Sequence, residues 1–293
     1  MKNQDFNKGI TLTALGSFWW GVIGVIYFKY ISFVGSIEVV IHRCVWTSVV
    51  LIISTFYFSK WNIFFKIIKN KKKLILLFFS SLLIFINWAT WIYALGTNRI
   101  IDASFGYFIM PILSVFLGYI FYQEKINRRR GLSIILVLIS ILFLFMVNFN
   151  SIPWVGIIVA FSWAFYNLLR KKVNVDTDVG LLIESLFILP FAVFSFYIIF
   201  QNNLNDFSLN NPSLMFLLMM AGPMTVIPLF LYVRGVELCG LGPTGMIFYI
   251  TPTFQFLLGF FYYNEEFSLE KSLSFILIWI AVIIYLKDLY ENN

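Results

Sequence analysis

The feature that most constrains this chain is a series of ten apolar segments separated by short polar turns. Each is close to the roughly 20 residues that an α-helix needs to cross a bilayer. Because a helix satisfies its own backbone hydrogen bonds in lipid, segments of this length predict membrane-spanning helices. They lie at about positions 9–28, 38–58, 74–96, 101–122, 131–148, 152–170, 179–200, 213–235, 241–263 and 270–287.

The composition excludes a soluble globular domain. Hydrophobic residues make up 60% and charged residues 12% of the chain, against about 45–50% and about 25% in soluble domains. We therefore predict an all-α polytopic membrane protein with ten transmembrane helices. The first apolar run is longer than the roughly 7–15 residues of a signal-peptide core and has no A-x-A-like cleavage site after it, so we expect it to be retained.

An internal repeat divides the chain into two halves. We interpret residues 1–148 and 149–293 as two copies of a five-helix unit. Because five is odd, the second copy must enter the membrane from the opposite face, which is the inverted repeat of many transporters. A repeat kept only for packing is the alternative. One offset of 141 positions superposes Pro111 on Pro252, Gly118 on Gly259 and Glu124 on Glu265.

The positive charges indicate an orientation. The net charge is +7, and lysine and arginine are concentrated in alternate loops such as 71–73, 128–130 and 170–172. Cytoplasmic loops carry such an excess, so we predict a multi-pass protein of the bacterial inner (plasma) membrane with both termini cytoplasmic. The basic surplus is then a topology signal and an attraction for anionic lipid heads, not a nucleic-acid site. Cys44 and Cys239 lack C-x-x-C spacing and predict no disulfide framework.

The second segment begins with a group of ionisable residues, which are costly inside a membrane. Glu38, His42 and Trp46 recur every four residues and therefore share a helix face, and we expect Arg43 to reach back towards Glu38. One interpretation is a substrate- or proton-responsive cluster, which makes Glu38 and His42 coupling candidates. The other is a structural ion pair near the outer face. A single histidine predicts no metal site.

Two further carboxylates and a pair of matching prolines are the remaining candidates. Asp102 starts the fourth segment, and we interpret Glu184 in the seventh segment as the counterpart of Glu38 in the second. Helix capping is the simpler interpretation of Asp102 and Glu184, and proton coupling by Asp102 is the alternative. Pro111 and Pro252 each remove a backbone hydrogen bond within an apolar helix. They are candidates for hinges or cavity-lining kinks, and plain packing kinks are equally compatible.

Aromatic residues supply the candidate binding site. Because they make up 20% of the chain, core packing is the default interpretation of any single ring. Several recur at helical spacing beside polar residues near the middle of their segments. Rigid rings with a few amides suit a pocket for a planar or amphipathic solute. The substrate-binding candidates are Trp19, Trp20, His42, Arg43, Asn87, Trp88, Trp91, Ser104, Tyr107, Trp163, Tyr166, Asn167, Phe248 and Tyr249.

A further set of motifs runs through the whole chain in a fixed order. Its residues include Phe18, Trp19, Trp20 and Gly21; Tyr27, Phe28 and Lys29; Glu38, His42, Arg43 and Trp46; Asn87, Trp88 and Trp91; Asp102, Ala103, Ser104, Phe105, Gly106, Tyr107, Phe108 and Pro111; Phe165, Tyr166, Arg170, Lys171 and Lys172; Gly180, Glu184 and Pro190; and Pro228, Tyr249, Pro252 and Glu265. Together these motifs resemble the RarD-type permeases of the EamA group, in the drug/metabolite transporter superfamily.

This resemblance implies a five-plus-five inner-membrane carrier with no cofactor, in which helices one, three, four, six, eight and nine enclose a central cavity. It also implies export as the direction of transport. The name of the family is tied to chloramphenicol sensitivity, and relatives export amino acids or other metabolites. The expected partners are a small-molecule substrate and the lipid bilayer, and the expected state is a monomer or weak homodimer.

Three functions compete for this sequence. A carrier that rocks two inverted halves around a central site fits the repeat, and the lack of a P-loop motif predicts secondary-active transport. A membrane-embedded enzyme is disfavoured because the sequence has no histidine pair, nucleophile elbow or phosphate-cradling glycine loop. A non-transporting interaction protein is disfavoured because the longest polar linker, 59–73, is too short for a soluble domain. We predict a secondary-active transporter and no enzymatic activity.

Overall fold

The computed structural model describes residues 2–97, 100–148, 154–262 and 269–291, and within these ranges the chain is helical and contains no strand. This confirms the predicted class of an all-helical polytopic protein. The elements are α1 (Lys2–Trp19), a π-helical turn (Trp20–Gly24), α2 (Val25–Tyr30), α3 (Ser36–Tyr57), α4 (Trp61–Ile68), α5 (Lys71–Gly96), α6 (Ile100–Tyr122), α7 (Arg128–Asn148), α8 (Trp154–Val173), α9 (Thr177–Gln201), α10 (Pro212–Cys239), α11 (Leu241–Ile247), α12 (Ile250–Phe261) and α13 (Leu269–Glu291).

Six stretches in the described part of the chain are long and apolar enough to cross a membrane. They are Gln4–Tyr30, Ser36–Tyr57, Lys71–Ala94, Thr177–Gln201, Pro212–Cys239 and Ser272–Glu291. The other four predicted segments are also helical, in α6, α7, α8 and the pair α11–α12. The count of ten spans itself stays a prediction.

The two ends of the described chain lie on one face of the molecule. Phe6 in the first turns of α1 packs into the same hydrophobic cluster as Leu286 and Leu289 near the end of α13. We call this side the terminal face and the other side the opposite face.

The positions at which the helices start show the internal repeat over a longer part of the chain than the sequence motif does. The offset of 141 positions relates the starts of four helix pairs: Ser36 and Thr177, Lys71 and Pro212, Ile100 and Leu241, and Arg128 and Leu269. The contacts between the halves also come in matching pairs. The packing of α1 on α10 corresponds to that of α8 on α5, and the packing of α3 on α10 corresponds to that of α9 on α5. This pattern is expected when two copies are related by an approximate two-fold axis. The opposite insertion of the copies stays a prediction.

The two copies of the proline-containing helix differ in conformation. In the first copy, α6 continues without interruption through Pro111. In the second copy, the helix is broken at Phe248 and Tyr249, between α11 and α12. Pro252 lies one turn after the break, and because it has no N–H it cannot donate to the carbonyl of Phe248. Pro252 therefore follows an interruption of the regular α-helical hydrogen bonding, whereas Pro111 is accommodated within a continuous helix.

The polar linker predicted at 59–73 contains more structure than expected. It includes the short helix α4, in which the rings of Trp61 and Phe64 meet edge to face with centroids 5.3 Å apart. The next helix, α5, then begins with a side-chain cap, in which the Oδ1 of Asn70 accepts from the N–H of Lys73 at 3.2 Å. Asn211 caps α10 in the same way through the N–H of Leu214.

Gly240 makes the sharp turn between α10 and α11. Its φ of 96° lies in the left-handed region, and a Cβ placed on it would lie 2.7 Å from Oε1 of Glu124. We expect Gly240→Ala to lower the free energy of unfolding by about 1–3 kcal/mol, because a side chain is strained in that conformation and also displaces Glu124. Thermal unfolding of the purified protein in detergent measures this change.

The matched control is Gly131→Ala in α7, where an added Cβ meets nothing within 4 Å. This variant should unfold at or slightly above the wild-type temperature because alanine favours helix. Equal melting of the Gly240→Ala variant and the wild type would show that the turn tolerates a side chain.

Candidate functional site

A cavity lies between the two halves and holds about 530 Å³ of space free of protein atoms, including the part that opens outwards. Its lining residues lie towards the opposite face: Phe28 and Trp91 are near the ends of α2 and α5, whereas Arg43 and Tyr107 are near the starts of α3 and α6. The described lining consists of Trp20, Gly24, Val25, Phe28, Arg43, Asn87, Trp88, Trp91, Tyr107, Trp163, Phe248, Thr251 and Gln255.

Aromatic rings from both halves form the inner wall of this cavity. The Trp20 ring meets the Trp163 ring edge to face, with centroids 5.1 Å apart, and the Tyr107 ring lies 5.7 Å from that of Phe248. Trp20 begins the π-helical turn, an element that is rare and concentrated at functional sites. The floor of the cavity is therefore a set of mutually supporting rings.

Arg43 is the charged residue of the described lining. Its side chain is buried, and its Nε donates to Oγ1 of Thr225 at 2.9 Å. The guanidinium carbon lies 4.5 Å from the ring centroid of Trp88 and 5.1 Å from that of Phe28. The prediction that Arg43 reaches back to Glu38 is wrong, because residues five apart on a helix point to different faces.

Asn87 joins α5 to α8 at the edge of the cavity. Its Nδ2 donates to the carbonyl of Val159 at 3.0 Å and to Oγ of Ser162 at 3.1 Å. The amide is buried, so these bonds fix its orientation towards the second half. Asn87 therefore belongs both to the cavity lining and to the packing between halves.

Glu38, His42 and Trp46 do share a helix face, but outside the cavity. Glu38 accepts from the backbone N–H groups of Asp206 and Phe207 at 2.7 and 2.8 Å. His42 Nε2 lies 3.5 Å from Glu38 Oε1, and His42 Nδ1 accepts from Trp46 Nε1 at 3.1 Å. This chain of contacts holds the connection between α9 and α10 against α3. A role in proton coupling stays a prediction.

The other predicted site residues are divided among several places. Trp19, Tyr166, Asn167 and Tyr249 lie outside the cavity lining. The hydroxyl of Tyr249 donates to the carbonyl of Phe108 at 2.8 Å, which links α6 to the break in the second copy. The side chains of Asp102 and Ser104 lie outside the described residues, so their predicted roles stay predictions.

Five lining residues were missed by the sequence analysis although the spacing could have indicated them. The missed residues Gly24 and Phe28 follow the predicted Trp20 at steps of four residues, and Val25 is adjacent to Gly24. Thr251 and Gln255 continue the face that begins at Phe248, at three and seven residues beyond it. Glycine, valine and threonine were passed over because none of them carries an obvious binding group.

A buried ionic cluster lies between the cavity and the terminal face. Glu184 accepts from the hydroxyls of Ser80 and Tyr166 and lies 3.6 Å from Nη1 of Arg170. Arg170 is fully buried and also contacts Glu237 at 3.5 Å. The capping interpretation of Glu184 is wrong, because α9 begins at Thr177 and places Glu184 two turns inside the helix. The expected equivalence with Glu38 is also wrong, because the offset of 141 positions between the starts of α3 and α9 pairs Glu184 with Arg43. Arg170 likewise lies inside the protein and not in a surface loop.

Gly180 makes room for the guanidinium of Arg170. A Cβ built on Gly180, one turn before Glu184 in α9, would collide with Nη1 of Arg170. The same guanidinium donates from Nη2 to the carbonyl of Thr177 at 3.2 Å. The first turns of α9 therefore leave space for the guanidinium of Arg170, which comes from α8.

At the terminal face the halves are joined by two sets of polar contacts. Glu124, just after α6, accepts from the N–H groups of Leu241 and Gly242 at 2.9 and 2.8 Å. Lys171 also contacts Glu124, with its Nζ 2.7 Å from Oε1. These contacts connect the end of α6 with the end of α8 and the start of α11.

The second set of contacts is centred on Lys60, which precedes α4. Its Nζ lies 2.8 Å from Asp178 and 3.0 Å from Asp176. Partial burial alone would lower the pKa of the Lys60 ammonium, but hydrogen bonds and charge from the two aspartates raise it. The ammonium therefore stays charged through the neutral range, and the stabilisation that it gives is lost only as the pH rises past the raised pKa.

Metal ligands are not grouped in the part of the chain that the structure describes. No set of three or more His, Cys, Asp or Glu side chains there is arranged to hold an ion. Cys44 and Cys239 are both free and buried.

Sequence comparison assigns the family. The EamA-like transporter family matches residues 7–146 and again residues 151–287. The chain belongs to the EamA-like transporter family. A protein of Vibrio cholerae named as an uncharacterized transporter is 35% identical over 285 residues, which cover 97% of this chain and 94% of that protein. Protein RarD of Salmonella typhi is 34% identical and covers 98% of this chain and 97% of its own length.

The fold is shared more widely than the sequence. A solved crystal structure with 13% sequence identity aligns with a TM-score of 0.68 over 97% of this chain and 98% of that one. At this identity the likeness bears on the fold alone. As a member of the EamA-like transporter family, the protein is a lipid-embedded helical transporter.

The buried cluster around Arg170 makes a prediction about stability. We expect Glu184→Gln to lower the free energy of unfolding by about 3 kcal/mol, because it leaves the buried guanidinium of Arg170 with Glu237 as its single carboxylate partner among the described residues. Thermal unfolding in detergent, followed by tryptophan fluorescence, measures the loss.

Glu291→Gln is the matched control for this change, because Glu291 contacts Arg129 in an ion pair whose two side chains are 43% and 60% exposed. Breaking an exposed pair should cost at most about 1 kcal/mol. If the two variants unfolded at the same temperature, the buried cluster would contribute no more than a surface pair.

Proposed function

We propose that this protein is a secondary-active transporter that moves a small organic solute by alternating access around the central cavity. The observation that carries the proposal is the origin of the lining: Trp20, Arg43 and Trp88 come from the first half, and Trp163 and Phe248 come from the second. A site between two repeats is where such carriers bind their solute. The transporter names of the relatives support the same class of function.

The energy source is proposed to be an ion or solute gradient, because the sequence contains no P-loop motif. Proton coupling is the form that the resemblance favours. Glu38, His42 and Asp102 remain the candidates for it, and the buried Glu184 joins them because its carboxylate is held among hydroxyls and a guanidinium.

We propose further that the terminal face is cytoplasmic and that the membrane is the bacterial inner membrane. Lysines 71–73 begin α5, arginines 128–130 begin α7, and Arg170 to Lys172 end α8, all towards that face. Cytoplasmic ends of membrane helices carry such an excess of basic residues. The structure then corresponds to a state with the cavity towards the outside and the cytoplasmic end closed, and export is the proposed direction.

A membrane enzyme is the weaker candidate. The cavity lining, as far as it is described, contains no carboxylate, histidine or thiol. The described lining therefore lacks a general base that could activate the hydroxyl of Tyr107 or Thr251 as a nucleophile. Both walls of the cavity come from one chain, which is consistent with a monomer as the working unit.

Transport through the cavity can be tested by filling it. Gly24 lines the cavity, and a Cβ there makes only ordinary contacts, the nearest at 3.5 Å from the carbonyl of Trp19. We expect Gly24→Leu to fold normally but to abolish flux, because its side chain occupies the space of the solute. Hits from a thermal-shift screen of amino acids, nucleosides and phenicols supply labelled solutes for flux assays in proteoliposomes.

Gly131→Leu is the control, because position 131 is open space outside the cavity. It should keep the wild-type flux. Wild-type flux in both variants would show that solute does not pass through this cavity, and an absence of flux above that of empty liposomes for every hit would refute transport.

Alternating access can be tested at the polar contacts of the terminal face. We expect Glu124→Gln to weaken these contacts. The neutral amide lacks the negative charge that pairs with Lys171 and that strengthens the hydrogen bonds from the first N–H groups of α11. Cys239 is buried beside this site, so its labelling by a maleimide, read by peptide mass spectrometry, should become several-fold faster. Cys44, buried near the opposite face, is the control in the same molecule.

Unchanged labelling of Cys239 would show that Glu124 does not hold this end closed. An equal rise at Cys44 would indicate general loosening of the fold and would contradict a specific opening at the terminal face.

A further inference from the structure

We propose that the transported solute is an organic anion with a flat apolar body, and that Arg43 binds its anionic group, a carboxylate or a comparable oxyanion. This inference rests on the proposed transport function and names the class of solute for the same cavity. It follows from the chemistry of the lining residues and from the way the protein treats its two most deeply buried arginines.

The first observation is that Arg43 is a buried cation with no counter-ion among the residues that the structure describes. Placing an arginine inside a membrane is costly even on the mildest scale. The side chain is only 6% exposed, and among the described residues no carboxylate lies within ion-pairing distance of it. Its described partners are the hydroxyl of Thr225 and two aromatic faces, all of them neutral.

The second observation is that the other deeply buried arginine, Arg170, does form ion pairs within the protein. Arg170 has carboxylates at 3.6 and 3.5 Å, from Glu184 and Glu237. The two arginines therefore differ in one respect that matters for binding: the charge of Arg170 is satisfied within the protein, and that of Arg43 is directed to the cavity that it lines.

The third observation concerns the geometry of the guanidinium. Arginine has five N–H donors, and the Nε of Arg43 is used by Thr225. The two terminal amino groups make no hydrogen bond to any described residue. They form the planar fork that binds a carboxylate through two parallel bonds. The Thr225 contact and the face of Trp88 hold the fork in place before a ligand arrives.

The rest of the lining suits the body of such a ligand. Seven aromatic residues surround the space, together with the neutral polar side chains of Asn87, Thr251 and Gln255. The seven are Trp20, Phe28, Trp88, Trp91, Tyr107, Trp163 and Phe248. In this lining there is a partner for an anion but, as far as it is described, no carboxylate to bind an ammonium group. The cavity therefore favours a net anion over a cation or a zwitterion.

A matched set of three probes tests this inference on the full-length protein in detergent. Phenylacetate, phenylacetamide and phenethylamine share one ring and carry an anionic, a neutral and a cationic group. At constant ionic strength, we expect phenylacetate to raise the unfolding temperature of the wild type in a saturable way, because a ligand that binds the folded state stabilises it. The amide and the amine should give little or no shift.

Variants identify the residue that binds the anion. Arg43→Gln should weaken phenylacetate binding about 10- to 100-fold, since a hydrogen-bonded charge is lost. Arg43→Lys should keep part of the affinity because it retains the charge without the fork. Arg129→Gln, at an exposed arginine of the terminal face, should bind as the wild type does.

A measurement on the wild type alone covers the case in which Arg43→Gln does not fold. The affinity for phenylacetate should fall as the pH is lowered through the pKa of the ligand, because the protonated acid has no charge. That pKa is near the value of an ordinary carboxylic acid, about 4.3. Any weak binding of phenylacetamide should not change over the same pH range.

Three results would overturn the inference: stabilisation by the amide equal to that by the carboxylate, wild-type affinity in a folded Arg43→Gln variant, or binding of none of the three probes. These outcomes are separate from a failure of the transport proposal. Specific anion binding without flux would refute transport alone, and flux of neutral solutes through the cavity would refute the anionic class alone.

Discussion

The structure depends on the constraint that charges and backbone groups inside a membrane must find their partners within the protein, because lipid offers neither water nor ions. Glu38 satisfies this constraint by accepting hydrogen bonds from two backbone N–H groups in the connection after α9. Glu124 meets it at the start of α11, and Arg170 meets it with two carboxylates. The contacts of Glu38 and Glu124 join the two halves, so the same requirement that excludes stray charges also helps to hold the halves together. Those of Arg170 with its carboxylates lie within the second half.

The class of fold could be predicted because lipid enforces it residue by residue. Long apolar runs admit helices, and the predicted segments agree with the helices to within about four residues, except that α1 begins at Lys2, seven residues before the predicted start. The break at Phe248 and Tyr249 was not predictable in the same way. Both Pro111 and Pro252 remove one hydrogen bond, and only the packing around each decides whether the helix continues or ends. The helix α4 was missed because a short stretch rich in lysine reads as a linker.

The candidate site was predicted in part. Eight of its lining residues were anticipated, because large rings and amides at helical spacing stand out in a sequence: Trp20, Arg43, Asn87, Trp88, Trp91, Tyr107, Trp163 and Phe248. Glu184 was misread because the apolar run begins after the true helix start at Thr177. The partner of Arg43 was misread because proximity in sequence suggested Glu38, whereas Thr225 lies 182 residues away. Partners that depend on helix packing are not contained in local spacing.

The fit between Gly180 and Arg170 has a consequence for how this sequence can change over time. The guanidinium occupies the place that any larger side chain at position 180 would need. A substitution at 180 is therefore acceptable only in a chain that has already lost the arginine, and the arginine can be kept only while 180 has no side chain. The two positions should drift together or stay fixed together, so a comparison of descendant sequences would find them correlated although neither one contacts the solute.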